Sequence, residues 1–441
     1  MAIIDIIGGG LAGCEAAWQL CRRTGHCVRL REMRPLRKTP AHKTGNLAEL
    51  VCSNSLHSEN ITTASGILKR ELLELDSLII SSAMSCRVRA GSSLSVDRAL
   101  FSETVESRLK TIPRIEILRS PVDSISDISF PAILATGPLF EGPLFQEIMS
   151  KVGEEKLYFY DAVSPTVSAE SIDMDKAFWG NRYDESGQDY LNLPLTAEQY
   201  QFFREALVKA ETWPLKDFER SIFFESCLPV EEIARRGEET LCFGPLRPVG
   251  LTRDRRIKAV IQLRLEDGLA SAFNLVGFQT NLLINEQKRV FRMIPGLEKA
   301  EFLRFGKMHR NTYLNSPLLL NRFLEFKDIP GLFLAGQLTG VEGYCESAAT
   351  GLCSALFLAS RLAGCELPML PDETMLGSLL RFLRTPQKRF MPMNSSFGLL
   401  PPLPGRIRDK KQRKLAFAER SENCMPEFIR SLNQMLRQIR D

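Results

Sequence analysis

An apolar run at residues 2–7 ends in Gly8-x-Gly10-x-x-Gly13 and passes directly into a helical pattern, Leu11, Ala16, Ala17, Leu20 and Cys21, closed by Gly25. A second apolar run at 27–30 follows, and then an acid, Glu32, 24 residues past Gly8. Few structures tolerate this order. Gly8 permits a tight strand-to-helix turn, Gly10 leaves room for a pyrophosphate against the backbone, and Gly13 lets helix and strand pack closely. The free N–H groups at the helix start attract phosphate. A carboxylate at Glu32 can accept bonds from ribose hydroxyls and repels a 2′-phosphate. The expectation is a βαβ unit that binds a dinucleotide.

The rest of the chain fills in an α/β fold. Residues 62–84 carry Ile67, Leu68, Leu72, Leu75, Leu78 and Ile79 at helical spacing and predict one amphipathic helix. Residues 130–134 predict a strand running into Ala135-Thr136-Gly137-Pro138. Between about 155 and 325 aromatics thicken and Pro/Gly punctuation recurs, which reads as mixed short strands and helices. Buried-strand texture returns at Gly331-Leu-Phe-Leu-Ala-Gly336-Gln337, ahead of a small-residue helix at 347–362. Three prolines and two glycines in 398–406 mark a linker into basic C-terminal helices. The expected architecture is an α/β, Rossmann-like dinucleotide-binding domain, interrupted by a smaller α+β insertion. Its parts are 1–155, an insertion at 156–327, a completing part at 328–397, and linker plus helices at 398–441.

Composition excludes several classes. At 44% apolar and 25% charged residues over 441 positions, the chain is neither disordered nor collagen-like. No run approaches the ~18 apolar residues of a membrane span, so no membrane partner is expected. The start has no basic segment and carries Asp5 within its apolar stretch, unlike a signal peptide. Eleven cysteines without any Cys-x-x-Cys suggest reduced thiols in a cytoplasm, and four dispersed histidines predict no metal site. The net charge of +4 is uneven. Ten Lys/Arg against Asp409 alone make residues 381–414 a +9 window and leave −5 for the remainder. Such a stripe suits a polyanionic partner, or is a solvated face.

Ala135-Thr136-Gly137 and Gly331–Gln337 look like the second and third signatures of flavoproteins with two dinucleotide folds, which points to FAD rather than NAD. Gly340-x-Glu342-Gly343 and the following helix, with Gly351 counted among its cofactor-binding positions, are expected to place N–H groups near the flavin pyrimidine ring. Beyond these, the blocks Ala48-Glu-Leu-Val-Cys-Ser-Asn-Ser55, Ser226-Cys-Leu-Pro229, Phe243-Gly-Pro-Leu-Arg-Pro-Val-Gly-Leu251, Asn274-Leu-Val-Gly-Phe-Gln-Thr-Asn281, Met308-His-Arg-Asn-Thr-Tyr313, Ala335-Gly-Gln-Leu-Thr-Gly-Val-Glu-Gly343 and Pro392-Met-Asn with Phe397-Gly-Leu-Leu-Pro-Pro402 occur in order. Together with the N-terminal glycines they resemble the bacterial folate- and FAD-dependent tRNA (uracil-5-)-methyltransferases, the TrmFO family, from residue 2 to about 405. Cys14 departs from the usual small residue such as Ser, and Cys242, Cys345 and Cys353 are extra thiols near matched blocks.

The resemblance implies methylation of a T-loop uridine at position 54 of tRNA. Methylenetetrahydrofolate is then the one-carbon donor, reduced FAD the reductant and NAD(P)H the source of electrons, with no obligate protein partner. C5 of uracil becomes nucleophilic only when a soft nucleophile saturates the 5,6-bond, and a second group must then remove the C5 proton. Two cysteines lie in matched blocks that carry the family's catalytic thiols. Cys227 is favoured as nucleophile and Cys52 as its proton-accepting partner, although the roles could be exchanged. A free thiol is only a few per cent ionised near neutrality, so something in the site should favour thiolate, with Arg247 and His309 as candidates. His309-Arg310-Asn311 and Gln279-Thr-Asn281 are either ligand-binding clusters or capping contacts. The aromatics at Tyr158–Tyr160 are more simply core. Three alternatives remain at this level. They are the same chemistry on ribosomal RNA, a relative acting on the wobble uridine (which lacks this cysteine pair), and a flavin-bearing RNA-binding or redox protein without methyl transfer.

Overall fold

The computed structural model describes every residue except Met1, 154–156, Glu185, 215–227, Arg253 and Asp441, and the side chains of 438–440. Strand Ile3–Ile7, buried at four of its five positions, is the centre of a parallel sheet. Cys27–Arg31 pairs on one side and Ala132–Leu134 on the other. Ile115–Leu118 extends the first flank and Leu332–Leu334 the second. The chain therefore leaves the central strand in both directions, and a crevice opens at the carboxyl ends of Ile3–Ile7 and Ala132–Leu134 where the order reverses. Everything needed for a dinucleotide site converges there.

Helix Leu11–Arg23 lies against the long helix Tyr344–Ala363. Their close approach depends on glycine. A Cβ on Gly351 would sit 2.3 Å from the Ala12 carbonyl oxygen, and one on Gly13 would sit 1.9 Å from that of Gly8. Tyr344–Ala363 starts three residues before the helix expected at 347, because Gly343 at φ +116 turns the chain there.

The expected single helix at 62–84 is two, Ala64–Glu74 and Leu78–Ser85. Asp76 takes a left-handed φ of +60, and Ser77 caps the second helix by accepting from the Ile80 N–H. Buried Glu15, from the first helix, also accepts from Leu78 N (3.3 Å), Ile79 N (3.0 Å) and Ser77 Oγ (2.7 Å). The break thus gains a carboxylate at a helix N-terminus, supplied from 62 positions away, which local periodicity could not register.

The insertion has its own antiparallel sheet. In order, its strands are Phe178–Trp179, Tyr190–Thr196, Ile257–Leu265, Ala272–Leu275, Thr166–Ser168 and Phe302–Arg304. It has its own core too, drawn from residues between Val167 and Ala300 together with Val88. A ribbon of Leu157–Val163 and Lys307–Tyr313 carries the chain out and back, and Phe159 and Tyr313 on it belong to the larger core. The C-terminal part is one helix, Lys410–Arg440, not several. Its Phe417, Met425, Phe428 and Leu432 are buried in the larger core. Among the described residues, no helix is long and apolar enough to cross a membrane.

Candidate functional site

The crevice is a cavity of about 320 Å³, within the range of small-ligand sites. At one end the helix Leu11–Arg23 begins without a side-chain cap, so its first N–H groups are free to meet an anion. Gly8 holds φ +110, and a Cβ there would strike the Ala135 carbonyl oxygen at 2.4 Å. Gly10 borders only open space. Gly13 sits behind them, where it serves packing as the sequence implied. The glycines therefore form a cradle that a side chain would fill.

Glu32 follows the second strand, lines the cavity and is 4% exposed. Its oxygens are engaged within the protein. Oε1 accepts from Arg34 N (2.9 Å) and Nε (2.9 Å), and Oε2 accepts from Gly9 N (2.9 Å) and Arg34 Nη2 (3.0 Å). Burial opposes ionisation here, but the Arg34 guanidinium and these donors hold the carboxyl below its usual value. A carboxylate offers about four acceptor directions, so a ribose hydroxyl must share one already used. Glu32 therefore fixes the Gly9 loop at least as much as it awaits a ribose.

Thr136 and Gly137 (φ +75) line the opposite wall. Thr136 Oγ1 is buried without a hydrogen-bond partner among the described residues. A buried hydroxyl left without a partner is unfavourable unless a water or ligand satisfies it. Gly336 (φ +80), Gln337 and Glu342 continue the wall, and Gln337 Nε2 donates to Glu342. Helix Tyr344–Ala363 starts there, again uncapped by any side chain. Burial, and then the charge of Asp161, push the Glu342 carboxyl well above its ordinary value.

Cys52 lines the same cavity. Its backbone is clamped from three distant places. Its N–H donates to Tyr344 Oη at 2.8 Å, and that hydroxyl donates to the Ser53 carbonyl at 3.1 Å. Arg98 reaches the Leu50 and Cys52 carbonyls, both at 2.7 Å, and Arg304 of the insertion reaches Cys52 O at 3.2 Å. Arg98 is itself ion-paired to Glu266 of the insertion at 2.6 Å. Burial and the neighbouring Asp161 push the thiol up, and Arg98 only partly opposes them. Arg98 thus favours the Cys52 thiolate but is outweighed. His309 lines the cavity but is pushed down to about 4 by burial and by Lys307 and His42, so it is neutral. Arg247 is exposed on an insertion loop away from the cavity wall.

The cavity thus gathers Gly8, Gly10, Glu32, Cys52, Thr136, Gly137, Gly336, Gln337 and Glu342. Gly351 is a correction. It is buried at the crossing with Ala12 and does not reach the cavity, because its missing side chain serves helix packing. Cys227 lies outside the described residues. Val230, three positions further on, donates its N–H to Gln279 O at 2.7 Å, and Gln279 lines the cavity. The two polar clusters divide between their two readings. His309, Asn311 and Gln279 face the cavity, while Thr280 Oγ1 and Asn281 N bind Glu231 at 2.8 and 2.7 Å. Phe159 and Tyr160 are core. Sequence reasoning did not single out Asp161, Tyr344, Arg98 and Arg34. Tyr344 and Asp161 each adjoin a stretch already under discussion and Arg34 lies two positions from Glu32, whereas Arg98 becomes visible only through contacts distant in sequence.

Comparison with known proteins agrees with this geometry. The family model described as glucose inhibited division protein A matches residues 3–366. The methylenetetrahydrofolate–tRNA-(uracil-5-)-methyltransferase TrmFO of Bacillus subtilis (strain 168) is 49% identical over 422 residues, covering 95% of this chain and 96% of that protein. Its namesake from Aquifex aeolicus (strain VF5) is 50% identical over 434 residues, covering 98% and 97%. The crystal structure of Aquifex aeolicus GidA (form II) superposes with a TM-score of 0.67 at 16% identity, over 99% of this chain and 75% of that one, a likeness of fold. With near-complete coverage at about half identity, and a cavity that fits a dinucleotide, this chain belongs to the TrmFO family of GidA-like proteins.

Proposed function

We propose that this chain methylates C5 of a T-loop uridine in tRNA with methylenetetrahydrofolate as one-carbon donor, FAD as resident cofactor and NAD(P)H as reductant. In this reading it acts in the cytoplasm and without an obligate protein partner. The observation that carries the reading is the presence of Cys52 and the dinucleotide cradle in one cavity. When bound, FAD supplies the redox chemistry that turns a methylene into a methyl group. The residues present fit it. The uncapped start of Leu11–Arg23 and Gly10 suit its diphosphate, the orphaned Thr136 hydroxyl suits a polar edge, and the uncapped start of Tyr344–Ala363 suits negative charge on the reduced ring.

The chain's own groups then have defined tasks. The Cys227 thiolate adds to C6 of uracil, which makes C5 an enolate carbon able to form the new carbon–carbon bond. The Cys52 thiolate takes the C5 proton, and expulsion of Cys227 restores the 5,6-double bond. Cys52 must lose its own proton first. Arg98 and Tyr344 hold its backbone in place, and Glu342, whose carboxyl burial and Asp161 push up, lines the same cavity. The test is incubation of purified protein with methylenetetrahydrofolate, NADPH and unmodified tRNA and rRNA transcripts. 5-Methyluridine in the tRNA T-loop alone is expected. Product in rRNA alone overturns the substrate, and no product from a yellow protein that NADPH bleaches overturns methyl transfer. With 5-fluorouridine RNA, Cys227→Ala is expected to lose the covalent adduct, and an adduct that persists reassigns the nucleophile.

A further inference from the structure

On the insertion, a turn around Tyr183 and the loop after helix Thr240–Phe243 lie side by side. Tyr183 has a left-handed φ of +63, costly for any residue with a side chain. The conformation is braced. Tyr183 N donates to Gly250 O at 2.8 Å, Asn181 Nδ2 donates to Asp189 at 2.6 Å, and Asp189 N donates back to Asn181 at 2.9 Å. The ring lies over Gly250, where a Cβ would come within 2.6 Å of it. Yet Tyr183 remains 66% exposed, and Phe243, at the end of the helix that leads into the Gly250 loop, is 81% exposed. So much local structure holding a ring in solvent is unneeded for the core.

Charge surrounds these rings. Arg182 is tied to the Val249 carbonyl at 2.6 Å and lies within the field of Arg247, and Arg247 and Arg255 are exposed. Among the described acids of these loops, Asp184 accepts from Ser186, Asp189 accepts from Asn181, and Asp254 pairs with Arg256. The loop after Phe243 also touches a segment close in sequence to the cavity lining. Pro245 packs on Gly277, where a Cβ would meet it at 2.5 Å, and Gly277 is two residues from cavity-lining Gln279.

We propose that Tyr183 and Phe243, with Arg182 and Arg247, form a stacking platform for unpaired bases of the RNA loop whose uridine enters the cavity. The proposal rests on the methyltransferase reading. Flat rings beside guanidinium groups match single-stranded nucleic acid, which offers π-faces and phosphates together. Withdrawing one base from a loop unstacks its neighbours, and a platform on the enzyme recovers that stacking. This surface is separate from the basic stretch at 406–414 and has a different signature, because stacking responds weakly to salt and phosphate contacts strongly.

The test compares binding of a T-arm hairpin and of a blunt duplex of the same stem to the flavin-loaded protein. Tyr183→Ala and Phe243→Ala are each expected to weaken hairpin binding at least about fivefold. Duplex affinity and the salt slope should stay as in wild type, and Tyr183→Phe should restore hairpin binding. Phe243 is so exposed that its truncation removes little packing, so it decides the matter if Tyr183→Ala fails to fold. Unchanged hairpin affinity, or equal loss on hairpin and duplex, overturns the platform. Wild type that binds neither RNA and forms no 5-methyluridine overturns the methyltransferase reading and the platform with it. Wild type that methylates while both variants bind normally overturns the platform alone.

Discussion

Cys52 shows how far one residue's chemistry depends on its surroundings. Flanked by Val51 and Ser53, it reads as a partly polar position with an ordinary thiol. In the fold, burial and Asp161 raise its pKa despite Arg98, so the resting group is a thiol. Because alkylation needs thiolate, iodoacetamide should modify Cys52 at pH 7.5 at least about tenfold more slowly than a free cysteine. Peptide mapping by mass spectrometry separates it from the other ten cysteines. Labelling at the free-thiol rate would show that the pocket does not suppress ionisation. Glu32 carries a similar lesson. Its place after the second strand was legible, but Arg34, only two positions away, takes much of its hydrogen-bonding capacity through bonds no spacing rule foretells.

At the scale of elements, Glu71 joins three helices. It lies in Ala64–Glu74, accepts from Met375 N and Leu376 N at the start of Met375–Arg384, both at 2.7 Å, and from Ser421 Oγ in the C-terminal helix at 2.5 Å. Burial outweighs these donors, and the carboxyl is pushed from an ordinary 4.5 up to about 7. Between those values the folded protein keeps a proton that the unfolded chain has lost. This group therefore makes stability fall as pH rises from about 4.5 to about 7, by about 3 kcal/mol in all, with no further change above. Urea unfolding at pH 5 and pH 7.5 should show Glu71→Gln losing that part of the pH dependence. An identical dependence in both proteins would mean that Glu71 is ionised throughout. The helical pattern at 62–84 was readable from apolar spacing, but the break at Asp76 and the joint at Glu71 were not, since their partners lie far along the chain.

For the whole molecule, the expected basic stripe contracts. Arg381 and Arg384 pair with Asp372 at 3.1 and 3.5 Å, at the end of a helix packed on the core. Lys388 and Arg389 stay exposed, and a denser exposed cluster follows at Arg406, Arg408, Lys410, Lys411 and Arg413. Replacing Lys410, Lys411, Arg413 and Lys414 by Ala should weaken tRNA binding and reduce the slope of log K against log salt, by up to about 3. A slope unchanged in filter binding would make this a solvated face. The anchoring of the last helix through Phe417, Phe428 and Leu432 holds that cluster on the same body as the cavity.

By itself the sequence determined the dinucleotide unit, because a strand, three spaced glycines and a helix are local and each glycine answers a local steric demand. It also determined the return of the chain after an insertion and, through long matched blocks, the family. Tertiary structure alone decided which residues share the cavity and in what protonation state. Gly351 became a packing residue because Ala12 crosses it, His309 is neutral because it is enclosed, and Cys52 is a thiol because a carboxylate and buried surface surround it. Proximity across many residues and the removal of water are properties of the folded solid, and one-dimensional spacing does not encode them.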